Sequence, residues 1–254
     1  MKILPLSLAL ACLATPTALT ATELQAQKDV IAFNVGVAVE VDAAGKPIKV
    51  DAQGDLPESI RAYVEKRVAS WQYLPAQVAG VPQSAITYVA VKACAVPVGE
   101  GYRLGLDFAG NGPRTAADRK LVPPMYPRLA RQRGTEAEFV LILGVEVDGH
   151  AVIDQIERAD ISGRAGATEF EPLLRQWVKS VRFDPEQVAG KPVRGRVRMP
   201  VEFNLSGFGN EEASREELQV KAKTSRECQI ASGGSEMKPV ALQPVVTVTP
   251  TPAS

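Results

Sequence analysis

Apolar and polar residues alternate along several stretches of this 254-residue chain. The first stretch covers residues 30–42, and residues 84–94, 139–147 and 193–203 repeat the pattern. Successive side chains of a β-strand point to opposite faces, so each stretch predicts a strand with one buried face. Gly45 follows the first strand, and the pair Asp148-Gly149 follows the third, so both strands are predicted to end in tight turns.

Two further stretches have apolar residues three and four positions apart, as on one face of a helix. The first runs from Leu56 to Trp71 and the second from Phe170 to Val181. A shorter basic helix is predicted at residues 128–133, after Tyr126-Pro127 and before a glycine. Return strands are predicted after the two turns, around Ile48 and Val50 and at residues 151–157. The order strand, strand, helix, strand therefore occurs twice, and the second occurrence has an extra helix in front.

A thirteen-residue sequence also occurs twice. Residues 180–192 match residues 70–82 at seven positions, and Tyr73 of the first copy corresponds to Phe183 of the second. Such a match predicts an internal repeat. We therefore expect an α+β protein of two small modules, each an antiparallel sheet of about three strands packed on one or two helices. In chain order, we predict a first module at residues 30–95, a linker at 96–123, a second module at 124–204 and a disordered tail at 205–254.

Residues 1–22 are typical of a secretory signal peptide. Lys2 precedes an apolar run at residues 3–13, and small residues follow the run. A membrane-spanning helix needs about 20 apolar residues, and this run is shorter and interrupted by Pro5. Two alternatives stay open. One is lipidation at Cys12, since residues 9–12 resemble a lipoprotein cleavage sequence, and the other is an uncleaved inner-membrane anchor.

Charge and cysteine content narrow the function further. Lysine plus arginine equals aspartate plus glutamate, 29 each, so no overall field favours nucleic acid as a partner. Cys94 and Cys228 remain if the leader is removed. An oxidising compartment would permit a bridge between them, and the alternative is two unrelated thiols.

The chain offers no set of residues for catalysis. Its one histidine, His150, lies in a predicted hairpin turn. One histidine and two distant cysteines do not make a zinc site, and no nucleophile, metalloprotease or phosphate-loop motif is present. We therefore predict neither an enzyme nor a cofactor, and no small-molecule substrate.

An ordered set of motifs between residues 126 and 203 resembles the C-terminal domain of the TonB family of periplasmic energy transducers. The motifs are Tyr126-Pro127 with the basic helix, the strand ending at Val147-Asp148-Gly149, Arg182-Phe183-Asp184-Pro185, Gly190 and the closing Val201-Glu202-Phe203. Residues 30–95 look like a degenerate second copy. Two positions depart from the family pattern: Val181 stands where a tryptophan is usual, and Ala137 where a glycine is frequent. We interpret both as repacking of the same fold.

The resemblance implies a periplasmic protein with no chemistry of its own. Domains of this family bind a short extended segment of an outer-membrane protein by strand addition, in which backbone hydrogen bonds supply the affinity. A protein-interaction module that contacts outer-membrane proteins in energy-coupled transport is therefore implied. The alternative is a structural envelope protein that uses such modules for assembly without a transport role, and self-association is left open.

The predicted partner-binding residues all lie in the second module: Tyr126, Pro127, Arg194, Arg196, Val197 and Arg198. The last four belong to the final strand, whose edge would receive an added strand. The arginine row either meets an acidic residue of the partner or forms a solvated face that discourages edge pairing. Residues 245–249, Val-Val-Thr-Val-Thr, loosely resemble the peptide segments that such domains capture, although we predict that the tail is disordered.

Overall fold

A computed structural model of the protein describes residues 30–99, 101–116, 121–162, 167–205, 228 and 244–250. The predicted signal peptide lies outside the described residues. In chain order the strands are β1 (Ile31–Val41), β2 (Pro47–Ala52), β3 (Gln72–Leu74), β4 (Ala76–Val78), β5 (Val81–Gln83), β6 (Ala85–Val98), β7 (Gly101–Gly112), β8 (Arg114–Thr115), β9 (Ala137–Val145), β10 (Ala151–Ile161), β11 (Phe183–Asp184), β12 (Gln187–Val188), β13 (Lys191–Pro192), β14 (Gly195–Phe203) and β15 (Thr247–Thr249). The helices are α1 (Glu58–Ala69), α2 (Arg128–Gln132) and α3 (Ala167–Val178).

Two antiparallel sheets carry most of the structure. In the first sheet β1 is central, with β2 on one side and β6 on the other. The outer edge of β6 pairs with β12 at its start and with β7 along the rest of its length. In the second sheet β9 is central, with β10 on one side and β14 on the other. Mostly antiparallel sheet with few helices agrees with the predicted α+β class.

Each sheet packs against one of the longer helices. The first core lies between the first sheet and α1, whose Val64 and Val68 are fully buried. The second core lies between the second sheet and α3, where Phe139 of β9 packs against Phe170 with ring centroids 5.5 Å apart. The apolar stripes of the sequence therefore mark the buried helix faces correctly, because burial of those faces stabilises short helices.

The predicted separation into two modules is not established. Val188 of β12 belongs to the first core, although it comes from the segment predicted for the second module. Through β12 and β13, that segment also extends the first sheet. In addition, β8, which lies in the segment predicted as a linker, pairs with β11 of the segment predicted for the second module. Both contacts join stretches far apart in the sequence, which local patterns do not predict.

The segment predicted as a linker forms a long strand instead. β7 pairs with β6 from Gly101 to Gly112, with a bulge near Ala109. Leu106 is buried in the first core, and the ring of Phe108 meets Trp71 edge to face at 5.8 Å. Alternating Tyr102, Leu104, Leu106 and Phe108 were the signal for this strand, but the surrounding glycines and charges hid it.

The predicted disordered tail contains an ordered strand. Thr247–Thr249 form β15, which pairs antiparallel with β3. Val246 and Val248 are buried in the first core, while Thr247 and Thr249 are exposed. A single short strand gains its stability from the surface that it pairs with, so its sequence alone gave a weak signal. Most of residues 206–243 lie outside the described part of the chain.

The repeated thirteen-residue sequence forms the same turn twice. Ala79 and Gly80 have φ angles of 51° and 79°, and Ala189 and Gly190 have φ angles of 49° and 72°. Two successive residues with positive φ are typical of the tight turns that join hairpin strands. These turns connect β4 to β5 and β12 to β13.

Two glycines in the other turns occupy equally matched positions. Gly45 and Gly149 have φ angles of 82° and 81°. A Cβ on Gly45 would collide with the carbonyl oxygen of Tyr73, and a Cβ on Gly149 with that of Phe183. In both places the turn after the central strand therefore packs tightly under the aromatic residue that follows the helix.

Candidate functional site

The outer edge of β14 is the exposed strand edge on which the sequence placed partner binding. β14 pairs with β9 along its whole length, from Gly195 to Phe203, and in the described residues no strand pairs with its other side. Pro200 lies within β14 and has no amide hydrogen with which to donate to β9. Its nitrogen therefore lies on the unpaired side of the strand, as is usual for a proline in an edge strand. Arg198 and Arg196 precede Pro200 by two and four residues. Because alternate residues direct their backbone groups to the same side of a strand, their N–H and C=O groups also point to the open edge.

Val197 occupies the alternate position. Its backbone groups therefore face β9, opposite Leu143, and its side chain packs against the second core. The sequence assigned Val197 to partner binding; its side chain is partly buried against the second core, and Val197 also lines a groove beside β14. Whether it contacts a partner stays a prediction.

The arginine row of β14 is already paired with carboxylates on the same sheet. Arg196 Nε lies 3.1 Å from Asp154 Oδ2, and Arg198 Nε lies 2.6 Å from Glu157 Oε2. Arg194 Nη2 lies 2.9 Å from Asp154 Oδ1 on β10. Because these guanidinium groups have partners within the sheet, a ligand must compete for them rather than meet free cations.

Arg194 also contacts Glu146, Nε to Oε1, at 2.9 Å. The two carboxylates hold the pKa of the Arg194 guanidinium above its ordinary value, with the hydrogen bond to Glu146 as the largest cause. Arg194 reaches Asp154 by crossing over β9 at Gly144, where a Cβ would lie 2.5 Å from Arg194 Nη2. Gly144 therefore makes room for the ion pair, and the sequence did not single it out.

Tyr126 and Pro127 lie against the second core rather than on the open edge. The Tyr126 ring meets Phe203 at 5.5 Å, and its hydroxyl donates to the carbonyl oxygen of Thr135 at 2.5 Å. Burial, and then the charge of Glu136, raise the pKa of Tyr126. Pro127 is buried at the start of α2. These contacts fix α2 to the end of the sheet.

A groove of about 330 Å³ runs beside the first half of β14. Arg196 and Arg198 line one side of it, and the end of β7 with Pro113 and Arg114 lines another. A Cβ on Gly195 would lie 2.5 Å from Pro113 Cγ, so the two chain segments approach closely at one end. The first part of β14 therefore borders a groove whose opposite side is formed by the end of β7 and by β8.

Arg114 holds the opposite side of this groove in place. Its Nε lies 2.8 Å from Asp184 Oδ2, and its guanidinium carbon lies 4.3 Å from the centre of the Tyr88 ring. The ion pair and the ring contact join β8 both to β11 and to β6. None of these three residues was assigned a role from the sequence.

A buried polar group joins the segment between β11 and β12 to β6 and to the backbone of Val245. Glu186 is 2% exposed, and Thr87 Oγ1 donates to its Oε1 at 2.6 Å. Burial raises the pKa of Glu186, while hydrogen bonds from Thr87 and from the backbone N–H of Val245 lower it. A buried carboxylate needs such donors, because an unpaired one would be strongly destabilising. The sequence offered no sign of this network, since a lone glutamate next to a proline is ordinary.

The two cysteines of the predicted mature chain are joined. Cys94 of β6 and Cys228 form a disulfide with a Cα–Cα distance of 6.0 Å. Both side chains are buried, and Val96 packs beside them. The bridge therefore attaches the chain ahead of β15 to the first sheet.

No group of histidine, cysteine and carboxylate residues suited to a metal ion occurs within the described ranges. Within those same ranges, no helix combines the length and apolar character needed to cross a membrane.

Comparisons with known proteins point to one kind of protein. No family model matches the chain. The chain is 28% identical over 86 residues to Protein TonB of Vibrio cholerae serotype O1, which covers 34% of this chain and 33% of that protein. It is also 28% identical over 90 residues to Protein TonB of Xanthomonas campestris pv. campestris strain B100, covering 35% and 38%. The chain thus spans about a third of the length of these relatives, and the matches support a TonB-like domain.

Proposed function

We propose that this protein is a non-enzymatic envelope protein that binds an extended segment of an outer-membrane protein in energy-coupled transport. The segment adds as a strand to the open edge of β14. Similarity to TonB over about a third of the chain supports this class of function. The observation that carries the binding mode is the outer edge of β14, with which no described strand pairs, beside a groove of about 330 Å³.

A strand already added to the first sheet supports the mode. β6 and β14 occupy the same place in their sheets, each beside the central strand. On its outer edge β6 carries β7, which pairs with it from Tyr88 to Val98. We infer that a partner segment takes the place on β14 that β7 takes on β6.

The same comparison supports descent of both sheets from one repeated unit. The paired turns at Ala79-Gly80 and Ala189-Gly190 share their positive φ angles, and Gly45 and Gly149 share their close packing under an aromatic residue. Strand order around β1 also equals strand order around β9. If the two sheets descend from a common unit, the pairing of β7 with the outer edge of β6 is a guide to how a strand would pair with the outer edge of β14.

Backbone groups, rather than side chains, supply the affinity in this proposal. The arginines of β14 are engaged by Asp154 and Glu157, so their backbone N–H and C=O groups are the available contacts. Pro200 interrupts the row of donors. The added segment is therefore short and pairs mainly with the stretch between Gly195 and Met199.

The test compares Arg198→Pro with Arg198→Ala in the full chain. Both variants lose the guanidinium and its contact with Glu157, but only the proline removes the outward backbone donor. Each immobilised variant is incubated with a detergent extract of the envelope, and the captured proteins are identified by mass spectrometry. We expect the alanine variant to retain capture of outer-membrane transport proteins and the proline variant to lose it.

Circular dichroism and thermal unfolding must show that the proline variant is folded. Arg196→Ala serves as a second control, and we expect it to change mainly the salt dependence of capture. Equal capture by folded Arg198→Pro and Arg198→Ala would overturn the site. Capture of structural envelope proteins alone would favour the assembly function over transport.

We also propose that residues 1–22 are removed on export to the periplasm. The short apolar run after Lys2 supports a cleaved signal peptide. The intact mass of the native protein measures the outcome. Recovery of Met1 in the inner-membrane fraction would favour an anchored protein instead, and a lipid adduct on Cys12 would favour a lipoprotein.

A further inference from the structure

The C-terminal segment 244–250, called the tail segment here, lies along β3 as an added strand and buries side chains in the first core, as a peptide ligand does. β15 within it pairs with β3, so that Val248 lies opposite Tyr73. From Val246 to Thr249, buried valines alternate with exposed threonines: Val246 is 0% exposed and Val248 is 8% exposed, whereas both threonines face outward. The site that receives the segment, formed by β3 with Asn111 and Glu186 and called the tail groove here, therefore buries two valine side chains placed two residues apart.

Polar side chains from two other elements hold the backbone of the tail segment. Asn111 of β7 donates from Nδ2 to the carbonyl oxygen of Val246 at 2.9 Å. The backbone N–H of Val245 donates to Glu186 Oε2 at 3.4 Å. Thr87 joins these two groups, because it donates to Glu186 at 2.6 Å and accepts from Asn111 at 3.0 Å. Glu186 and Thr87 are almost fully buried, so a connected set of polar groups is directed at this segment.

The connection of the tail segment to the rest of the chain also resembles that of a tethered ligand. Cys228, bonded to Cys94, anchors the chain upstream, and residues 229–243 connect this anchor to the segment. A tether of this kind raises the effective concentration of a segment at its groove without adding any contact.

We propose that the tail groove is a binding site for an extended peptide with valines at alternate positions, and that residues 244–250 of this chain occupy it as a displaceable ligand. This site lies on β3 and does not depend on partner binding at β14. The chemistry of recognition is main-chain pairing with β3, two valine pockets, and the Asn111 and Glu186 contacts to the peptide backbone.

The experiment separates the tail segment from its tether without removing it. A site-specific protease sequence replaces residues 232–237 of the full chain, and the purified, oxidised protein is cleaved there. Fluorescently labelled peptide of residues 244–250 is then titrated into cleaved and uncleaved protein, and binding is followed by anisotropy. Two matched peptides carry Val246→Asp, which alters a buried side chain, and Thr247→Asp, which alters an exposed one.

We expect saturable binding to the cleaved protein, weaker by at least about 100-fold in the uncleaved protein because the tethered segment competes. The Val246→Asp peptide should bind at least about 10-fold more weakly than the Thr247→Asp peptide. If the intact chain also forms a dimer that the Val246→Asp substitution abolishes, a second copy supplies the same segment.

Three results would overturn the proposal. The first is folded, cleaved protein that binds all three peptides equally or not at all. The second is cleaved protein that loses its circular dichroism spectrum and does not regain it with excess peptide. The third is a cleaved segment that stays bound and never exchanges with labelled peptide, which would make it a permanent part of the core.

Discussion

The two sheets share their strand order and their turns but differ in which edges are covered. β6 of the first sheet is paired on its outer edge by β7 and β12, whereas β14 of the second sheet has an unpaired outer edge in the described structure. After α1, β3 is covered by the tail segment, and after α3, β11 is covered by β8. Similar local sequence has thus been completed by different added strands.

The difference between the two sheets bears on where another strand could be added. An unpaired strand edge is a template for another strand, and proteins usually cover or interrupt it. In the first sheet the chain itself supplies the covering strands. In the second sheet, among the described residues, Pro200 and the paired arginines limit the edge, and this is the edge at which we propose that an outside segment binds.

Removal of the disulfide should have the largest effect on this comparison, because the bridge attaches the chain ahead of the tail segment, which covers β3, to β6 of the first sheet. The bridge closes a loop with a sequence separation of 134 residues. On the chain-entropy model, replacing both Cys94 and Cys228 by alanine should lower the free energy of unfolding by about 4–5 kcal/mol. Urea unfolding of the oxidised protein and of the double variant measures it.

The wild-type protein with its disulfide reduced is the control for the lost bridge. It should unfold at nearly the same urea concentration as the double variant, since both lack the cross-link. An unchanged midpoint in both would contradict the structural role of the bridge.

Alanine at the two matched glycines should have the next largest effect. Gly45→Ala and Gly149→Ala each place a Cβ against a backbone carbonyl oxygen, at Tyr73 and Phe183, with φ held positive. We expect each to lower the free energy of unfolding by about 2–4 kcal/mol. Gly190→Ala is the control, because its φ is also positive but no atom lies within 4 Å of the added Cβ.

The control should lower the stability by only about 1 kcal/mol, the usual effect of a positive φ on alanine. Equal losses at Gly45 and Gly149 would strengthen the view that the two turns are copies. A large loss at only one of them would weaken that view.

Glu186→Gln should change how the stability depends on pH. Burial raises the folded-state pKa of Glu186, so its contribution to stability is fully present below the unfolded pKa and is lost as pH rises through the folded value. The window begins near the ordinary pKa of 4.5 and extends upward. Tyr88, whose own pKa is raised, stays neutral through that window.

We therefore expect the stability of the wild-type protein to fall, relative to Glu186→Gln, as pH rises above this starting value. Urea unfolding at a series of pH values measures the difference between the two proteins. If the free energies of unfolding of the two proteins changed with pH in parallel, the folded-state pKa of Glu186 would not be raised.

The arginine row should give the smallest effect on stability. Arg198→Ala removes an exposed contact to Glu157, and exposed ion pairs contribute at most about 1 kcal/mol. Arg194→Ala should likewise leave the urea midpoint within experimental error. The informative readout is the salt dependence of partner capture, which should weaken in Arg196→Ala if the row meets an acidic segment. A large loss of stability would instead assign the row to the fold.

Local patterns in the sequence determined the elements whose burial is periodic. Alternation around Val37 and Phe139 marked the central strands, and the stripes on α1 and α3 marked the helices, because a buried face imposes its own period on the sequence. The repeated thirteen-residue sequence and its Ala-Gly turn were also readable, since few sequences adopt two successive positive φ angles.

Only the tertiary structure decided which strands pair across long sequence distances. β7 was hidden by glycines, β15 by its isolation in a charged and proline-rich tail, and the Glu186 network by the ordinary look of its residues. The position of Val197 opposite Leu143 of β9, and the ion pair between Arg196 and Asp154 of β10, likewise depend on strands that are distant in the sequence. A strand lies at the edge of a sheet when no other strand pairs with one of its sides. Its own residues do not determine this, because it depends on where the rest of the chain lies.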